Sequence, residues 1–259
     1  MATLLATQQV SATTRVGVYV DAFNVYYGGR SLCGRGTAGW RWLDLAGLAM
    51  DLINPRIWPN ARLERLVYCT AFRDRKGDPS SLADQQTYVN ALCHHNDSVA
   101  VAEGIYRPRV QRGVLVDPNS KSRGRVCSPG ADNLPGWLPA EEVTGPSGQA
   151  ELLVAVTTFE EKGTDVNVAS HLLIDVLTQR IDAAMVLSND SDLQFPLAEA
   201  RRHVPVATIN PRANRTSDGL RGDTDGGAGS HWWRRLKAAD LVGHQLPDVV
   251  GSHVKPPGW

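Results

Sequence analysis

The chain has 259 residues, 42% hydrophobic and 21% charged, with 27 basic and 27 acidic side chains and a formal net charge of zero. That composition excludes a disordered or fibrous chain and leaves room for one sizeable domain or two small ones. Zero net charge removes any global basic field, so a nucleic-acid partner has to be held by a local patch.

Residues 1–14, "MATLLATQQVSATT", carry a short apolar patch with no basic residues before it and polar glutamines inside it, a poor signal peptide. We read them as a flexible tail. "RVGVYV", 15–20, is short, β-branched and aromatic, as expected of a strand buried on both faces. "WRWLDLAGLAMDLI", 40–53, spaces Leu45, Leu48, Ala49 and Leu52 as on a helix, and "LERLVYCTAF", 63–72, is a second strand. After the turn "RDRKGDPS", "SLADQQTYVNALCHH" reads as a helix and "SVAVAEGIY", 98–106, as a third strand. The alternation of strands and helices predicts a mostly parallel α/β sheet.

Residues 107–150 break that rhythm with recurrent prolines and are read as an inserted loop or hairpin. "ELLVAVTTFEEKGTDVNVASHLLIDVLTQR" brings back a strand, a turn at Lys162 and Gly163, and a helix from about Asp165. "IDAAMVLSNDSDLQFPLAEARRH" repeats strand, acidic turn and helix, "VPVATIN" is a last strand, and "HWWRRLKAADLV" reads as a closing helix after the loop 211–230. The expected organisation is therefore a single domain over 15–245 with the insertion at 107–150, and a C-terminal tail over 246–259. Cys33, Cys69, Cys93 and Cys127 form no CxxC pair, which argues against a zinc ribbon and against a disulfide framework. Free thiols and the lack of any run near the roughly 18 apolar residues of a membrane span point to a cytoplasmic protein.

The carboxylates fall where strands end. Asp21 closes the first strand, with Asn24 three residues on; Asp190 and Asp192 follow "AAMVLS"; Asp165 begins the helix after "KGT". In an open α/β sheet the working site lies beyond the carboxyl ends of the strands, where strand order reverses. Carboxylates converging there repel one another unless a cation joins them, and hard oxygen ligands suit Mg²⁺ or Mn²⁺. Such an ion lowers the pKa of a bound water and polarises a phosphodiester. On this reading Asp21 is a metal ligand and Asn24 orients it or a bound water. Helix capping competes with that role: an N-cap explains Asp165 well, and Asp192 as a cap would leave Asp190 as the ligand.

"VYVDAFNVYYG", "EEKGTDVNVASHLLIDVL" and "AAMVLSNDSDLQFPLAEAR" resemble, in order and spacing, three motifs of the NYN domain, a LabA-like branch of the PIN-like nuclease superfamily. The resemblance runs from about residue 15 to 210. It implies a PIN-like fold, a metal-dependent endoribonuclease, and an acidic set at Asp21, Asp165, Asp190 and Asp192 supported by Asn24. "SNDSD" departs from the Gly often found before the first Asp, and Leu193 stands where an aromatic is common. A homodimer is also expected, since dimers are common among PIN-like proteins. RNA would be held by Arg73, Arg75 and Lys76 after the second strand, by Arg107, Arg109 and Arg112 in the insertion, and by Lys162 at the pocket mouth. The rival readings are a catalytically silent RNA-binding module and a phosphatase of small phosphorylated substrates. No GxxxxGK[ST] loop is present, and "YGGRSLCGRG" does not fit GxGxxG.

Overall fold

The computed structural model describes residues 13–73, 79–116, 137 and 139–259. Two compact units emerge, one formed by residues up to Ile105 together with Lys162–Trp259, the other by Tyr106–Glu161. The insertion thus takes in the strand before "KGTD", because that strand pairs within the smaller unit.

The larger unit carries a six-stranded sheet built from β1 (Thr14–Asp21), β2 (Ala61–Thr70), β3 (Val99–Glu103), β7 (Ala183–Leu187), β8 (Val206–Asn210) and β9 (Trp232–Arg235), in the order β3-β2-β1-β7-β8-β9. Every neighbouring pair is parallel. The chain moves outward from β1 to β3, returns to the far side of β1 at β7, and moves outward again. The strand order therefore reverses between β1 and β7, which opens a crevice beyond their carboxyl ends.

Period-two alternation divides the strands between two apolar layers. Val16, Val18 and Val20 of β1, with Met185 and Leu187 of β7, face the layer holding Trp42, Leu45, Leu48, Tyr88 and Leu92. Tyr19, Ala184 and Val186 face the layer with Val168, Leu172, Val176 and Leu197. Both faces of the central strands are dry, which is why they read as continuous apolar runs.

The first layer is supplied by α1 (Ala22–Cys33), α2 (Leu45–Asp51) and α3 (Pro79–His95), the second by α4 (Thr164–Leu177) and α5 (Gln194–Arg201). The second layer also buries one charge. Asp175 accepts from both the Tyr19 hydroxyl at 2.9 Å and the Arg65 guanidinium at 2.9 and 3.0 Å, which compensates its removal from water.

Two sequence expectations are corrected here, after one element that had no assignment from the sequence: helix α1 starts directly at Ala22. Its glycines answer to neighbours: a Cβ on Gly28 would strike the Pro211 carbonyl, and one on Gly29 would strike the Trp40 ring. "WWRR" forms edge strand β9 instead of a helix, pairing with β8 from Ala207↔Trp232 to Asn210↔Arg235, and only Ala238–Gly243 is helical (α7). Residues 246–259 are no tail: Leu246 and Val250 are buried, the hairpin β10 (Val249–Val250) and β11 (His253–Val254) closes them in, and Trp259 packs edge-on against Trp42.

In the smaller unit β4 (Ile105–Val114), β5 (Ala140–Thr144) and β6 (Ala150–Lys162) form a sheet in the order β4-β6-β5, with β5 and β6 antiparallel. The short α6 (Asp218–Arg221) completes the element list. Among the described residues no helix is long and apolar enough to cross a membrane.

Candidate functional site

At the reversal point, Asp21 ends β1 and lies with its carboxylate buried. Its Oδ1 accepts the Asn24 backbone N–H at 2.9 Å, which makes it the N-cap of α1. Its Oδ2 accepts the Asn24 side-chain amide at 2.6 Å and the Ser188 hydroxyl at 2.9 Å. Asn24 in turn accepts Arg212 Nε at 2.7 Å through Oδ1. Burial first, and the nearby Asp190 charge to a lesser degree, push the Asp21 carboxyl above its ordinary value, against the hydrogen bonds that favour ionisation.

The acidic turn after β7 folds on itself in the same way. Asp190 N–H donates to Ser188 Oγ at 3.1 Å, and Asp190 Oδ1 accepts Asp192 N–H at 3.1 Å, capping the single 3-10 turn Ser191–Leu193. Asp192 is exposed. Asp165 stands in the first turn of α4 behind Gly163, whose φ of 93° is a left-handed conformation that suits glycine. The charges of Asp21 and Asp165 both reach Cys69, whose thiol burial pushes up to about 12. Of the four carboxylates expected to hold Mg²⁺ or Mn²⁺, then, Asp21 and Asp190 interact and Asp165 stands near Cys69. Among the described residues no group of three or more His, Cys, Asp or Glu side chains could hold a metal ion. Capping engages two of the acids, Asp21 and Asp190, and these are not the two for which the sequence favoured it.

The same crevice fails a second fit. With this strand order a dinucleotide places its pyrophosphate on the N-terminus of the first helix, after a glycine-rich turn. Here that turn is Asp21-Ala22-Phe23-Asn24, and the Asp21 carboxylate already takes the Asn24 N–H an anion would use. These residues do not fit a pyrophosphate.

The basic residues expected to contact RNA are dispersed. Arg109 pairs with Glu160 at 2.7 Å, Arg112 pairs with Glu141, and Arg107 lies exposed on β4. Lys162 ends β6. Arg75 and Lys76 lie outside the described residues, and Arg73 belongs to the cavity described next.

Sequence reasoning missed a cavity of about 310 Å³ beside the carboxyl ends of β1 and β2, on the α1–α3 face. Seven rings line it: Phe23, Tyr26, Tyr27, Trp40, Tyr68, Tyr88 and Trp259. Several hold one another in tilted or edge-on pairs, Tyr26 with Tyr27 at 5.4 Å, Tyr26 with Trp40 at 5.7 Å and Tyr88 with Trp259 at 5.8 Å between centroids. The polar lining consists of Arg41, Thr70, Arg73, Ser81, Asp84 and Gln85. Gln85 anchors that side, donating to Thr70 Oγ1 at 3.2 Å and to the Ala71 carbonyl at 3.1 Å while accepting Arg73 N–H at 3.1 Å. Burial raises the Tyr68 phenol well above its ordinary value, so the ring stays a neutral donor. The only hint in the sequence was the density of Tyr and Trp in 23–42, spread over a helix and a loop that only the fold brings together.

Fold and site define an α/β protein with a parallel, Rossmann-like sheet and a ring-lined cavity at its carboxyl edge. No protein-family model matches the sequence. The chain is 27% identical to 6-hydroxy-3-succinoylpyridine 3-monooxygenase HspA of Pseudomonas putida, an alignment covering 96% of this chain and 76% of that protein. Among solved structures it resembles a protein of unknown function from Vibrio parahaemolyticus with a TM-score of 0.39 and 14% identity, over 82% of this chain and 90% of that one. A likeness that loose carries no argument.

The relative's name corrects the functional expectation. A monooxygenase oxidises its substrate, so the finding points to an oxidoreductase, against the metal-dependent endoribonuclease, the hydrolase class and the nuclease and ribonuclease descriptions expected from the motifs. The silent RNA-binding module and the phosphatase give way with them. The motif acids Asp21 and Asp190 fall where a strand gives way to a helix turn, and there each caps that turn.

Proposed function

We propose that the protein is an oxidoreductase of the monooxygenase kind, inserting oxygen into a small hydroxylated aromatic or heteroaromatic ring held in the aromatic-walled cavity. The observation that carries this reading is the cavity itself: its volume of about 310 Å³ lies at the lower end of the roughly 300–1,000 Å³ range of small-molecule sites. Its walls combine aromatic rings and aliphatic side chains with a few polar groups. The relative, which acts on a hydroxylated pyridine by name, supports the substrate class.

In such a reaction one atom of dioxygen enters a ring C–H bond, the other leaves as water, and a reductant supplies two electrons. A redox-active group able to activate dioxygen would supply that chemistry; the residues at the β1–α1 turn do not fit a dinucleotide pyrophosphate. What this chain's residues contribute is placement. The Tyr and Trp rings sandwich the substrate ring and exclude water, which strengthens every polar contact inside. Tyr68 offers a hydrogen bond to a ring hydroxyl, and Asp84 is the acceptor for its proton. The PIN-like identity of the fold belongs to this reading as a likeness of architecture: its three motifs fall at the end of β1, the start of α4 and the end of β7.

The test is incubation of the protein with ¹⁸O₂, NADH or NADPH with added flavin, and a panel of hydroxypyridines and phenols, with products read by mass spectrometry. Incorporation of one ¹⁸O atom per product supports the proposal. Reductant oxidation that yields only hydrogen peroxide across the panel, or no oxidation at all, overturns it.

A further inference from the structure

One wall of the ring-lined cavity comes from outside the six-stranded sheet and its helices. Residues 39–44 and 244–259 are laced together: Asp44 N–H donates to the His244 carbonyl at 3.0 Å, Leu43 and Gln245 form an antiparallel bridge, Leu246 N–H donates to the Trp42 carbonyl at 2.8 Å, and the Trp42 indole N–H to the Pro247 carbonyl at 2.7 Å. Further along, Gly39 N–H donates to the Trp259 carbonyl at 3.0 Å and Arg41 Nη1 to the Gly258 carbonyl at 3.1 Å. Trp259 N–H closes a turn onto the Pro256 carbonyl at 3.2 Å. Held in this way, the Trp259 ring lines the cavity, tilted against Tyr88 and edge-on to Trp42.

The seven rings of the lining are not equivalent. Trp40, Tyr68 and Tyr88 are buried and belong to the core, so shortening any of them opens the core together with the cavity. Tyr26 and Tyr27 are exposed on α1, and the half-buried Phe23 stacks on Tyr27 along the same helix. Trp259 is the half-buried ring that packs against the core from a segment outside the sheet and its helices. A cavity of about 310 Å³ lies at the lower end of small-molecule sites, so one large side chain on its wall decides what fits.

We infer that Trp259 is a specificity residue that limits the cavity to ligands of a single ring and turns away fused ones. The inference rests on the reading that the cavity is the substrate site, and it adds the size of the ring system admitted. Apolar burial alone makes the opposite demand, since a fused second ring buries more surface and binds tighter wherever there is room. A wall of rings packed on one another has little room to give, because protein interiors are close-packed and overfilling them costs free energy.

Isothermal titration of the full chain tests this with two matched pairs of probes, phenol against 2-naphthol and 3-hydroxypyridine against 3-hydroxyquinoline. We expect each fused ring to bind the wild-type chain about tenfold or more weakly than its single-ring partner. Trp259→Ala should reverse that order, moving the ratio by roughly a hundredfold and mostly through the fused ring, with Trp259→Phe in between. Fused rings that bind the wild-type chain as tightly as single rings overturn the size limit yet leave the cavity as a ring site. A ratio that a folded Trp259→Ala leaves unchanged overturns the assignment to Trp259. Binding of none of the four probes overturns both readings. Should Trp259→Ala fail to fold, Trp259→Phe decides: a ratio moved toward the fused ring supports the inference, and an unmoved one overturns it.

Discussion

The two faces of one sheet edge behave oppositely. On the α4 face the acidic turns close on themselves: Asp21, Asn24, Ser188 and Arg212 exchange hydrogen bonds until the buried carboxylate is matched on both oxygens. On the α1–α3 face the rings enclose a space, and Trp40 and Arg41 are left with donors unmatched. A set of polar residues that satisfies itself needs no ligand to complete it. Alternation along the strands separates the two, since Asp21 and Cys69 sit opposite in register while Tyr68 and Thr70 line the cavity.

The comparison is broken most directly through activity. Ser81→Trp, which fills the cavity from a partly exposed wall, should cut ¹⁸O incorporation on the order of a hundredfold. Asp190→Asn should change it by less than about threefold. Equal losses in the two variants would return the chemistry to the acidic edge.

The architectural claim is sharpened through stability. Ser188→Ala removes one of two donors from Asp21 Oδ2 and should cost about 1–3 kcal/mol in urea unfolding. Because that carboxyl already sits above its ordinary value, weakening its hydrogen bonds raises it further; the folded chain holds this proton more tightly than the unfolded chain, so the added penalty is absent below the ordinary carboxylate value and grows as pH rises through the raised one. A variant as stable as wild type would mean that the network contributes nothing to the fold.

The smallest effect lies away from both faces and serves as a control. His231 is buried, its Nδ1 accepting Val206 N–H at 2.9 Å while its Nε2–H donates to the Gly226 carbonyl at 2.7 Å. Burial holds its pKa below the ordinary 6.5. The unfolded chain therefore takes up the proton first, and the stability this histidine contributes above that value is lost as pH falls below it. His231→Asn, whose amide oxygen can replace Nδ1, should flatten the change in unfolding free energy between about pH 7.5 and about pH 5.5 by a few tenths to ~1 kcal/mol. His171, lowered by burial and by Arg65, retains a residual slope in the variant.

Much of the sheet was legible beforehand. β1, β2, β3, β7 and β8 all stand within a few residues of their expected places, because a strand buried on both faces writes itself as an apolar run. Helix α1 had no assignment from the sequence, and its Gly28 and Gly29 answer to Pro211 and Trp40, which press against them only in the folded chain. Trp232 and Trp233 fit a helix or a strand equally well by local pattern, and the free edge of β8 decided for a strand. The acids were found, but their partners were not. A cap and a ligand begin with the same residue in the same place, and only the Asn24 N–H on Asp21 and the Asp192 N–H on Asp190 separate them.

By itself the sequence determined the fold class, the succession of strands and helices, and the positions of the carboxylates at strand ends, because these depend on periodicity and local turn chemistry within short stretches. The tertiary structure decided where the cavity lies and that rings from α1, the 40–45 loop, β2, α3 and the chain's last residue share it. Those facts depend on which distant segments meet across a closed sheet, and no local pattern encodes such a meeting.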